Sequence, residues 1–186
     1  REPPFFFMKP ADALVVVDEG QTGTMAYPSL TKNLHHEIEL VVAIGTGGKN
    51  ILAADAHKHI YGYAVGLDMT RRDLQMKMRE QGRPWEIGKA FDFSAPIGPV
   101  RRLADAGEIA SGAITLEVNG ETRQKSDIRN LIWSVNEVIA NLSTLFALQP
   151  GDLIFTGTPE GVGQVQRGQT LRVCIDGLDP ISVRID

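Results

Sequence analysis

A single cysteine, Cys174, in 186 residues rules out an intrachain disulfide, and with no signal peptide visible it points to a reducing, cytoplasmic setting. No apolar run approaches the ~18 residues that a membrane-spanning helix requires, so no membrane partner is expected. Positive charge is not in excess: 19 Lys and Arg face 23 Asp and Glu, for a formal net charge of −4. The footprint of a nucleic-acid binder is therefore missing, and a small anionic ligand needs a local positive site or a metal. No repeat, low-complexity tract or charge block divides the chain, so residues 1–186 read as one domain. What is present is ordinary globular composition, 42% hydrophobic and 23% charged, enough for one sizeable core.

With 19 Gly and 10 Pro spread along the chain, connections are frequent and elements short. The apolar runs Ala13–Val17, Glu39–Ile44, Ile114–Val118, Leu153–Phe155 and Leu171–Ile175 have the length of strands. Asn119-Gly120 between alternating residues predicts a β-hairpin, because a type I′ turn needs positive φ at both central positions. Ile132, Val135, Ile139, Leu142 and Phe146 form one stripe on a helix from about Asn130 to Leu148, stopped by Pro150-Gly151. A shorter helix is capped by Thr70, favoured by Asp73 in its first turn and ended by Gly82 and Pro84. The expectation is a mixed α/β fold, predominantly β, with these two helices packed on its sheets.

Read as a strand, Glu37–Ile44 places Glu37 and Glu39 on one face with Cα atoms roughly 6.5 Å apart. The pair is either the solvent face of a half-buried strand or two carboxylates converging on a cation beside an apolar surface. Asp68 precedes the short helix, with Arg72 and Gln75 at +4 and +7, one helical face if the turn reaches back that far. It is either a helix-dipole carboxylate paired with Arg72 or a third oxygen ligand, a set that suits Mg²⁺ or Mn²⁺ better than zinc. Lys89, among Trp85, Ile87 and Phe91, either snorkels to water or stabilises negative charge on an oxygen. Thr156–Gly163 is a Gly-rich turn after a strand, either a tight connection or a cradle presenting backbone N–H groups and a Thr hydroxyl to an anion.

Other motifs fail. His36-Glu37 would open a zinc-protease motif, but position 40 is Leu. Gly45–Asn50 lacks the spacing of a phosphate-binding loop, and Cys174 lies in an ordinary strand pattern.

Six stretches in order together resemble the fumarylacetoacetate hydrolase family, and within it the acylpyruvate and fumarylpyruvate hydrolases. They are Phe6–Pro10, Asn33–Leu40, Gly62-Tyr63 through Asp68–Gln75, Gly88–Phe91, Val118–Gly120, and Pro150–Asp152 through Gly157–Gly163, so the resemblance covers essentially the whole chain. It implies the family's mixed β-roll with a few helices, assembled as a homodimer. It also implies that Glu37, Glu39 and Asp68 hold a divalent cation, usually Mg²⁺ with Mn²⁺ or Ca²⁺ as substitutes, and that Lys89, Arg72, Gln75 and Thr158 line the substrate site. The implied reaction is hydrolysis of the C–C bond of an anionic 2,4-diketo acid such as fumarylpyruvate, with Lys89 catalytic. Oxaloacetate decarboxylation, isomerisation of a hydroxydiene dioate, and a metal-dependent binding module for pyruvate-like anions are the alternatives. Arg71, Arg72, Arg101 and Arg102 are candidates for a second substrate carboxylate. The family's His–Glu general-base pair is expected upstream of Arg1, because His36 and Glu39, three apart on a strand, face opposite sides.

Overall fold

Asn119 and Gly120 take φ of 51° and 82°, the positive pair that a type I′ turn demands, and they join strands Ala113–Val118 and Glu121–Asp127 into the expected hairpin. The computed structural model describes residues 1–186, and this hairpin forms one edge of its five-stranded sheet. Thr170–Ile175, Ile181–Ile185 and Thr22–Met25 complete that sheet in order. Period-two alternation buries Ile114, Leu116 and Val118 on one strand and Leu171, Val173 and Ile175 on the next.

A six-stranded sheet runs Leu14–Val16, Ala95–Ile97, Ile60–Leu67, Ile38–Ile44, Leu153–Phe155, with Arg101–Arg102 pairing to Ile60–Leu67. Ile38–Ile44 is buried at all positions, the mark of a strand covered on both faces. Leu40, Val42 and Val65 from this sheet share one apolar cluster with Leu116, Val173 and Val183 from the other. Burial of that common face is the main driving force holding the two sheets together. A small third sheet pairs Leu34–His36 with Gly163–Val165 on one side and Thr70–Arg71 on the other. The fold is predominantly β with few helices, as expected.

The helices are shorter than the sequence pattern suggests. The later one spans Val135–Leu145, because Ser134 and Glu137 form a reciprocal capping box that fixes its start. Ile132 therefore precedes the helix and is exposed, Phe146 follows it, and the buried stripe reduces to Val135, Val138 and Ile139 with Leu142 packed beside them. The earlier helix spans Arg72–Glu80, and Thr70 does not cap it. Thr70 lies in a strand instead, its hydroxyl donating to the Asp68 carbonyl at 3.2 Å. Asp73 does sit in the first turn, and Gly82 at φ 61° follows the helix end. No helix is long and apolar enough to cross a membrane.

Candidate metal centre

Glu37 lies where the chain passes from strand Leu34–His36 into strand Ile38–Ile44. Ile38 faces Leu67 and Glu39 faces Gly66 across the antiparallel ladder, and the Glu37 carbonyl accepts the Asp68 N–H at 2.9 Å. Strand pairing thus delivers Asp68 to the glutamates. The helix begins only at Arg72, so the expected shared helical face of Asp68, Arg72 and Gln75 does not exist. One carboxylate oxygen from each of Glu37, Glu39 and Asp68 lies within 4.8 Å of the other two, and all three residues are buried.

Three cations answer them. Lys89 is 3% exposed and donates from Nζ to Glu37 Oε2 at 2.9 Å, Asp68 Oδ2 at 2.6 Å and Thr70 Oγ1 at 2.7 Å. All three of its protons are engaged, so it does not snorkel to water. Arg72 pairs with Glu37 Oε1 and donates to Gln75 Oε1 at 3.1 Å. Lys9 donates to the Met69 carbonyl at 3.1 Å and to the Lys89 carbonyl. Its Nζ also lies 2.9 Å from Asp68 Oδ1, yet out of line for a hydrogen bond, so that buried oxygen has no directed donor. Lys9 was not anticipated as a site residue; its place in the Phe6–Pro10 stretch was the only signal.

Gly88 places Lys89. A Cβ there would lie 2.7–2.8 Å from Gln75 Cβ, Cα and N, so only glycine lets the short helix Glu86–Lys89 pack directly on Arg72–Glu80. On the other side, the Gly-rich turn does present a backbone N–H to an anion. That anion is the protein's own: Gly157 N–H donates to Glu39 Oε2 at 2.7 Å, and Thr156 Oγ1 donates to the Leu40 carbonyl at 2.8 Å.

Burial, with repulsion from Asp68 and then Glu37, holds the Glu39 carboxyl well above its ordinary range. Burial lowers the Lys9 ammonium, against the attraction of Asp68. A clustered set of oxygen donors, with one buried oxygen lacking a directed donor, fits a hard divalent cation and offers no His or Cys for zinc.

His36 Nδ1 is 2.9 Å from Gln124 Oε1 and His35 Nε2 is 2.9 Å from Asn33 Oδ1, so neither pairs with Glu39. Arg101 and Arg102 sit opposite Tyr63 and Gly62, at the far end of the strand that leads to Asp68. Arg101 donates to the Gly177 carbonyl and Arg102 pairs with Asp105 at the surface, which removes both as candidates for a substrate carboxylate. Gln124, also unanticipated, is fully buried and donates to Thr158 Oγ1 at 2.8 Å.

Comparison with known proteins agrees with this geometry. A family profile described as fumarylacetoacetate (FAA) hydrolase C-terminal matches residues 1–186. The chain is 48% identical over 187 residues to a fumarylpyruvate hydrolase from Ralstonia sp, covering 99% of this chain and 93% of that protein. A crystal structure of fumarylpyruvate hydrolase from Pseudomonas aeruginosa in complex with Mn²⁺ and pyruvate is 63% identical, with TM-score 0.98, covering 100% of this chain and 79% of that one. An Escherichia coli oxaloacetate tautomerase is 40% identical over 177 residues, 95% of this chain and 79% of that protein. A profile match that runs the whole length of the chain, over a fold that superimposes this closely, makes the chain a member of the fumarylacetoacetate hydrolase family.

Proposed function

We propose that this chain is the catalytic domain of a divalent-metal-dependent hydrolase that cleaves fumarylpyruvate, or a close acylpyruvate, into pyruvate and a carboxylic acid. The observation that carries the reading is the buried cluster of Glu37, Glu39 and Asp68 balanced by Lys9, Lys89 and Arg72. With every group ionised, three carboxylates against three cations leave no net charge. A divalent cation adds two positive charges, and a substrate with two carboxylates restores neutrality, as fumarylpyruvate would.

Glu37, Glu39 and Asp68 are the proposed ligands, and Mg²⁺ or Mn²⁺ bound there would supply Lewis-acid polarisation of substrate oxygens. Lys89, its three protons held by Glu37, Asp68 and Thr70, would act as a fixed positive charge that favours build-up of negative charge on the pyruvate enolate as the C–C bond breaks. Arg72 and Gln75, already hydrogen-bonded to each other, offer donors to a carboxylate, and Thr158 offers its hydroxyl from the opposite loop. In the overall reaction the water's hydroxyl joins the acyl carbon and its proton ends on the pyruvate methyl group. Assembly as a homodimer in the cytoplasm belongs to the same proposal, on the resemblance and the lone Cys174.

The test is incubation of the natural full-length protein with fumarylpyruvate and Mg²⁺ or Mn²⁺. Pyruvate and fumarate in equal amounts, lost on chelation, are expected; no pyruvate release overturns the reading. Similarity to an oxaloacetate tautomerase favours a second reading in which the same residues stabilise an enolate without hydrolysis. Faster turnover of oxaloacetate than of fumarylpyruvate would select it.

A further inference from the structure

Strand Glu121–Asp127 is exposed or half-buried at every position but one, and the exception, Gln124, is fully buried. A β-bulge sets it there: register with the neighbouring strand shifts between Thr122 and Gln124, and bulges re-aim side chains next to functional sites. The Thr156–Gly163 loop packs on this bulge, so closely that a Cβ on Gly161, at φ 94°, would lie 2.3 Å from the Arg123 carbonyl oxygen.

The Gln124 amide makes four bonds, its full capacity. Oε1 accepts from the Ile38 N–H at 3.2 Å and faces His36 Nδ1 at 2.9 Å; Nε2 donates to the Pro159 carbonyl at 2.9 Å and to Thr158 Oγ1 at 2.8 Å. Its orientation admits no choice, since a backbone N–H can only donate and a carbonyl can only accept. Two consequences follow from proton counting. His36 must carry its proton on Nδ1. Thr158 Oγ1 accepts a hydrogen bond from Gln124, so its own proton is turned elsewhere, and it donates to no protein group.

Thr158 follows Gly157, whose N–H touches Glu39. Gln124 bonds in the same way to Ile38, between Glu37 and Glu39. One buried amide therefore clamps the ligand-bearing strand to the loop that closes over it. We infer that Gln124 is a positioning residue that fixes the Thr158 hydroxyl as a hydrogen-bond donor to an oxygen of the anionic ligand. The inference rests on the proposed function, because it takes a pyruvate-like anion as the acceptor.

Calorimetric titration of pyruvate into the Mn²⁺-loaded full-length protein tests it through a double-mutant cycle. Thr158→Val is expected to weaken pyruvate about tenfold, the loss of one hydrogen bond to a charged group. Gln124→Met, close in size but unable to orient the hydroxyl, is expected to weaken it by a similar factor, with Mn²⁺ affinity held within about twofold. The double variant is expected to bind no worse than Thr158→Val alone. Wild-type affinity in Gln124→Met, or effects that multiply in the double variant, overturns the inference and leaves Gln124 a structural bridge. Absence of pyruvate binding to the wild type overturns the functional reading together with it. Where Gln124→Met does not fold, NMR of the wild-type chain decides. The expected spectra show His36 protonated on Nδ1 and Gln124 side-chain amide signals that move when pyruvate is added to Mg²⁺-loaded protein. An Nε2-protonated His36 or unmoved amide signals overturn the assignment.

Discussion

Lys89 and Asp68 form an ion pair of 2.6 Å in which each side chain is only 3% exposed. Removing one partner of such a pair leaves an uncompensated buried charge. Lys89→Met is therefore expected to destabilise the metal-free protein by about 3 kcal/mol, read from urea unfolding. Mn²⁺ should recover much of that loss, because it neutralises the same carboxylates, while turnover of fumarylpyruvate falls at least a hundredfold. Equal destabilisation with and without Mn²⁺ would separate Lys89 from the metal site.

Burial and acidic neighbours hold the Glu39 carboxyl well above its ordinary range. In the metal-free protein a raised carboxyl contributes stability that is complete at low pH and is lost as pH rises through its folded-state value. Glu39→Gln should flatten that slope and raise stability at alkaline pH, while abolishing measurable Mn²⁺ binding. Urea midpoints across a pH series and a Mn²⁺ titration check the two halves separately.

His35 gives the opposite slope. Burial, followed by the positive charge of Arg72, lowers it from 6.5 to about 4. Between those values the unfolded chain binds more protons than the folded one, so stability falls as pH drops from 6.5 toward 4. His35→Gln is expected to shrink this acid-side loss, measured as the change in Tm over that window.

Gly88→Ala should act on function through packing. The added methyl meets the Gln75 backbone at 2.8 Å, forcing the helix that ends in Lys89 away from the helix that carries Arg72. A loss of ~1–3 kcal/mol is expected, with a fall in kcat. Unchanged kcat would show that Lys89 reaches its partners without this contact.

Arg102→Ala is the control. Its pair with Asp105 is exposed, and such pairs contribute ~0–1 kcal/mol. Neither KM for fumarylpyruvate nor Mn²⁺ affinity should change; a rise in KM would return Arg102 to the substrate site.

What could be read along the chain was whatever depends on near neighbours. Asn119-Gly120 specifies its turn through the positive φ both residues tolerate, and alternation marks the inward residues of Ile114–Val118. The residue types Glu37, Glu39 and Asp68 already favour a hard cation over zinc. Periodicity fails at the helix starts, because Ser134 and Glu137 begin one helix later than its apolar stripe suggests and Thr70 is drawn into a strand.

Only the tertiary structure decides which residues meet. Asp68 reaches Glu37 through an antiparallel ladder, Lys9 reaches Asp68 across 59 positions of sequence, and Gln124 reaches Ile38 across 86. Local pattern says which face a side chain occupies and is silent on the partner that face will find. That choice belongs to the packing of two sheets on one core, and it turned three carboxylates and three cations scattered along the chain into a single site around a buried carboxylate cluster.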